Sequence, residues 1–136
     1  MKKLLLLLLL FIVPIISFSQ TSFSAKYKEV CDWKEYDSEW ETDCRGLEDY
    51  SLFVMNSEET MFTHTTSNMK STYYVKTMRS SQEDIDNALF MYDVVSDVGN
   101  EYFAIFDMKH NEVKMVSTSG EQSEWYMVRW YIKSIF

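Results

Sequence analysis

The chain has one proline, three glycines, two cysteines and two histidines in 136 residues. So little Gly and Pro excludes a disordered or low-complexity protein. Two isolated histidines do not make a zinc site, which needs three or four correctly placed ligands. No D-x-D-x-D-G loop is present to hold calcium. No metal and no cofactor is therefore expected. Basic residues are also scarce, with 13 Lys plus Arg against 21 Asp plus Glu and a formal charge of −8. Phosphate binding needs clustered cations, so nucleic acid and anionic lipid headgroups are excluded as partners. Basic proteins, cationic ligands or divalent cations suit the charge better.

Long apolar runs are absent except one, Leu4 to Ile16, broken by Pro14. It follows Lys2 and Lys3 and precedes Ser17-Phe18-Ser19, which places small residues one and three positions before a cut between Ser19 and Gln20. The run is shorter than the roughly 20 residues a helix needs to cross a bilayer. Residues 1–19 thus read as a cleavable export signal. No cysteine follows the run to carry a lipid, so the mature chain has no membrane anchor. The expectation is a periplasmic or extracellular monomer made of one domain, residues 20–136.

What is plentiful is aromatic: nine Tyr, nine Phe and four Trp. Large rings bury much apolar area each, so a packed core is within reach. The apolar clusters alternate with period two. Strands are predicted over 51–56, 60–66, 71–78, 88–96, 101–107, 112–118 and 125–135. Asp97-Val98-Gly99-Asn100 and Ser119-Gly120-Glu121 are turn sequences. One short helix is predicted over Ser81 to Asn87, with Ser81 as its cap. Brief connections between neighbouring strands require an antiparallel meander. With a cysteine hairpin added, about eight strands curl or close into a small all-β barrel, with a β-sandwich as runner-up.

Cys31 and Cys44 read as a disulfide, since an even pair in an exported chain is normally bridged. Placed opposite each other in an antiparallel hairpin, they put Trp33, Trp40 and Thr42 on their own face. Asp32, Lys34, Glu39, Glu41 and Asp43 fall on the other. This register turns at Asp37-Ser38 and sets Lys34 opposite Glu41 and, unfavourably, Asp32 opposite Asp43.

Acids crowd the stretch from Glu29 to Asp49. Asp32, Glu39, Glu41 and Asp43 make a candidate face for a basic protein partner or a cation. Several strands are apolar on both faces, Phe90/Tyr92 against Leu89/Met91 for example, which calls for a second layer, a partner or a ligand. Tyr74, Phe90 and Tyr92 are the candidate contacts for a small apolar ligand. A catalytic reading would use His64, with Ser57 or Ser67 and an acid, or a carboxylate pair. No local signature accompanies His64, and no catalytic residue is assigned.

The strand count and meander resemble lipocalin-type and fatty-acid-binding barrels. The lipocalin Gly-x-Trp motif is absent, because Trp33 follows Cys31 and Asp32. In size and charge the chain is also similar to small acidic, disulfide-bearing periplasmic inhibitors of lysozyme. Neither resemblance carries a motif residue by residue, so no functional residue is transferred. The expectation is a non-enzymatic binding module of a bacterial envelope or secretome, engaging a basic protein or a small apolar ligand. The alternatives are a small secreted hydrolase and a structural surface protein without ligand.

Overall fold

The computed structural model describes residues 20–136; the export signal expected over 1–19 lies outside them. Nine strands follow in order: β1 Thr21–Lys34, β2 Glu39–Trp40, β3 Arg45–Met55, β4 Met61–Thr65, β5 Lys70–Met78, β6 Leu89–Ser96, β7 Glu101–Asp107, β8 Glu112–Ser117 and β9 Tyr126–Ile135. A short helix, α1 (Gln82–Asp86), joins β5 to β6, and a single 3-10 turn (Gln122–Glu124) precedes β9. Every neighbouring pair is antiparallel. β9 also pairs with β1, from Phe23 opposite Ile135 to Asp32 opposite Tyr126. The result is a closed eight-stranded barrel with β2 as an extra strand on β1. Closure satisfies the strand edges that an open meander would leave unpaired. Among the described residues no helix is long and apolar enough to cross a membrane.

The alternation that predicts the strands also sets which side chains point in. β8 buries Val113, Met115 and Ser117 and turns Glu112, Lys114 and Val116 outward. β4 buries Phe62 and His64 in the same way. The middle of the barrel is filled by rings: Phe106 lies against Phe23, Phe53, Phe62 and Tyr92 at centroid distances of 5.3, 6.5, 5.3 and 6.0 Å. Val94, Ala104 and Val113 complete this plug with no exposed surface. α1 forms where Ser81 accepts a hydrogen bond from the Asp84 amide and the Asp84 carboxylate accepts one from the Ser81 amide. This reciprocal cap satisfies two amides that would otherwise lack partners.

β1 and β3 are longer than the alternation indicates. The alternation predicts no strand over 21–30 or 45–50, where Lys26, Lys28 and Glu29 and then Arg45, Glu48 and Asp49 interrupt the period-two pattern. A bulge between Ala25 and Tyr27 causes part of this. Phe23 and Ala25 point inward before it, and Lys28 takes the inward position opposite Trp130 after it. A bulge inserts one residue and so switches the inward-facing parity of the strand.

The bridge Cys31–Cys44 is present, and Val30 opposite Arg45 carries the register that the cysteine pair implies. Beyond the bridge that register is overturned. Trp33 pairs with Trp40 and Lys34 with Glu39, not with Glu41. The turn is therefore Glu35 to Ser38, and Ser38 adopts a positive φ of 51°. Two physical reasons favour the shift. It brings the Trp33 ring 5.1 Å from Trp40 and 5.6 Å from Trp125. It also separates Asp32 from Asp43 and gives Asp32 the Arg45 guanidinium at 3.3 Å.

Candidate functional site

The ring plug closes the barrel at mid-height and leaves a cup at each end, one walled by apolar side chains and the other polar. The apolar cup lies at the end carrying α1 and the turn between β3 and β4. It has a volume of about 360 Å³, and Phe23, Met55, Phe90, Phe106 and Met108 line it. Phe90 and Tyr92 on β6 face Phe106 and Ala104 across the β6–β7 ladder, so one strand face supplies both expected contacts. The Tyr92 hydroxyl donates to Glu59 Oε1 at 2.7 Å, and Thr21, Asn56 and Ser57 complete the polar part of the lining. Burial, then the hydrogen bond and charge of Glu59, push the Tyr92 phenol well above its ordinary pKa. Tyr74 does not join them. It is on the outer face of β5, half exposed, opposite Met61 and Val95.

The polar cup lies at the opposite end and has a volume of about 380 Å³. Its floor combines residues far apart in sequence: Lys28 from β1, Asp49 from β3, His64 from β4 and Trp130 from β9, with the buried Ser51 of β3 bonded to both Asp49 and His64. One carboxylate oxygen, Asp49 Oδ2, accepts from Ser51 Oγ at 3.1 Å and from the Trp130 indole N–H at 3.2 Å. The Lys28 ammonium lies 3.1 Å from the same oxygen. Partial burial raises the Asp49 pKa. The hydrogen bonds from Trp130, Lys28 and Ser51 and the Lys28 charge outweigh that, and the carboxyl lies below its ordinary range.

His64 Nε2 is 2.9 Å from Ser51 Oγ, and the ring stacks on Phe53 at 4.3 Å with Trp130 edge-on at 5.0 Å. Burial is the main reason its pKa falls to about 4, with the Asp49 charge opposing and the Lys28 charge assisting. The ring is thus neutral at pH 7. A hydroxyl has one hydrogen, and Ser51 directs it to Asp49, so Nε2–H must be the donor to Ser51 Oγ. This fixes the tautomer and leaves Nδ1 as an acceptor, with no hydrogen-bond partner among the described residues.

A Ser, a His and an Asp in contact invite comparison with a nucleophilic triad, but the order of contacts differs. A triad places His between Ser and Asp, so that the ring takes the hydroxyl proton. Here Ser51 is in the middle, its proton faces a carboxylate of low basicity, and the ring nitrogen beside it is already protonated. That order of contacts is not a triad's. Among the described residues no hydrogen bond joins His64 to Ser57 or Ser67; Ser67 bonds its neighbour Asn68.

Three phenols rise around the same cup. Tyr73 and Tyr102 meet edge-on at 5.8 Å, and Tyr126 lines the wall with them. Burial, followed by the influence of Tyr102, raises Tyr73 and pushes Tyr126 up to about 12. Both stay neutral hydroxyls at pH 7.

The four hairpin acids each have their own surroundings. Asp32 faces Arg45, Glu39 lies 3.7 Å from Lys34, and the Glu41 carboxylate accepts the Asp32 amide at 3.2 Å. Asp43 is exposed. Among the described residues no group of three or more His, Cys, Asp or Glu side chains is placed to hold a metal ion. The Trp33 and Trp125 indole N–H groups behind the hairpin are buried without partners, while the Trp33 backbone amide donates to the Trp125 carbonyl at 3.1 Å.

Reasoning from sequence missed Lys28, Ser51 and Trp130 and counted Asp49 only as one acid among many. Comparison with protein-family models, with curated proteins and with solved structures finds no match to this chain.

Proposed function

We propose that the protein is an exported, non-enzymatic β-barrel binding module whose apolar cup takes a small hydrophobic ligand. The observation that carries this reading is the Phe23, Met55, Phe90, Phe106 and Met108 wall around about 360 Å³. That volume falls within the roughly 300–1,000 Å³ typical of ligand pockets. Apolar rings around a recess favour transfer of a hydrophobic molecule out of water, at about 25 cal/mol per Å² buried. The Tyr92–Glu59 pair provides one polar contact to orient it. The Cys31–Cys44 bridge supports export, because disulfides persist in oxidising compartments.

The test is titration with the neutral apolar dye N-phenyl-1-naphthylamine, whose fluorescence rises out of water. Saturable one-to-one enhancement is expected, weakened about tenfold or more in Phe90→Asp, a change of at least roughly 1.4 kcal/mol. Dye that fails to saturate, or binds Phe90→Asp as tightly as the unaltered protein, refutes the assignment. Stronger binding after Glu41→Gln and Asp43→Asn together would instead locate the dye on the hairpin.

A further inference from the structure

We infer that the polar cup is a second, separate binding site, for a neutral planar aromatic molecule that carries a hydroxyl or N–H donor. The two cups do not communicate, because Phe53, Phe62 and Phe106 fill the barrel between them with almost no exposed surface. The second cup therefore selects by its own chemistry.

Three features define that chemistry. The walls are flat and polarisable: Trp130, Tyr73 and Tyr102 offer ring faces and edges, and Met69 and Met115 offer thioethers. Such surroundings favour stacked or edge-on aromatic contacts over an aliphatic chain. Acceptors at the floor include His64 Nδ1 and the Asp49 carboxylate. The ring is buried and its other nitrogen is committed to Ser51 at 2.9 Å, so Nδ1 keeps the lone pair. A ligand O–H or N–H satisfies it. The third feature is charge balance. Lys28 and Asp49 are 3.1 Å apart and cancel within the cup, while the whole chain carries −8. An anionic ligand gains no uncompensated cation there and meets a repulsive field. A neutral one meets neither penalty.

The network itself argues for a role beyond folding. Three groups, from Lys28, Ser51 and Trp130, converge on the Asp49 carboxylate, and Ser51 also meets the His64 imidazole, at a level of the barrel where apolar side chains would pack as they do around Phe106. Buried polar groups are costly to place unless bonded, and His64 Nδ1, which has no protein hydrogen bond and is not among the fully buried atoms, stays open to a partner from outside.

The experiment is NMR on the mature protein with ¹⁵N-labelled histidine, titrated with p-cresol and, separately, with p-hydroxybenzoate at pH 7. With p-cresol, the His64 Nδ1 resonance should move towards the hydrogen-bonded range and saturate at one equivalent, while His110 stays fixed. The carboxylate analogue should bind about tenfold more weakly or worse. His64→Phe keeps a ring on Phe53 and should weaken p-cresol by about tenfold, whereas Phe90→Ser in the apolar cup should leave it unchanged. Three results overturn the inference: no saturation below about 10 mM, equal binding of the anion, or an unshifted His64 while p-cresol binds elsewhere. The isotope readout needs no variant, so a misfolded His64→Phe does not blunt the test. Failure here leaves the apolar cup standing, and loss of dye binding there leaves this cup standing.

Discussion

Acidification should destabilise the fold through one residue, His64, well above the pH at which carboxylates titrate. In the folded barrel its pKa is about 4, because burial against Phe53 and Trp130 disfavours the imidazolium; in the unfolded chain it returns to about 6.5. Between those values the unfolded chain binds a proton that the folded ring refuses. Stability is therefore complete above pH 6.5 and falls as pH drops towards 4. Linkage gives a loss of about 2 kcal/mol between pH 7 and pH 5, reaching about 3 kcal/mol near pH 4. Asp49 and Asp107 lie below their ordinary pKa values when folded. Their stabilisation is present above the ordinary carboxylate pKa and lost beneath it, so they contribute little between pH 7 and 5. Urea unfolding of the protein at the two pH values reads the effect. With a slope of about 1–3 kcal/mol per M, the midpoint should fall by roughly 1 M. His64→Phe cannot take up the proton, so its midpoint should hardly differ between pH 7 and 5. An unaltered protein that shows no loss would refute the argument, as would a variant with the same pH dependence.

Two further outcomes follow from the packing. Opening the bridge by Cys31→Ala with Cys44→Ala removes a cross-link with a sequence separation of 13 and should cost about 3 kcal/mol by loop entropy; a urea midpoint within error of the bridged protein would contradict that. Phe106→Ala empties the centre of the ring plug, where the side chain is 2 % exposed and meets four other aromatic rings. A loss of about 3–5 kcal/mol is expected by calorimetry, and a loss below about 1 kcal/mol would mean the neighbours collapse into the gap.

Some of this molecule was legible without coordinates because the relevant physics is local. Side chains alternate across a strand, so Val113, Met115 and Ser117 announce β8 whatever lies beside it. A Ser three residues before an acid can close its own cap, and Ser81 with Asp84 does so. A single pair of cysteines has one intramolecular pairing available, and Cys31–Cys44 is the bridge found. Short turns then leave only an antiparallel meander. Distant partners decided the rest. Closure depends on β1 meeting β9, whose residues are about a hundred positions apart, and a local period carries no information about that encounter. Packing against Trp125 from the far end of the chain and the Arg45 guanidinium shifted the hairpin past the bridge, against the register its own alternation indicated. The bulge at Ala25 turned Lys28 inward, and only then did Lys28, Asp49, Ser51, His64 and Trp130 share one cup. Strand identity is set by neighbours along the chain; which side chains meet is set by shear and closure, which belong to the barrel as a whole.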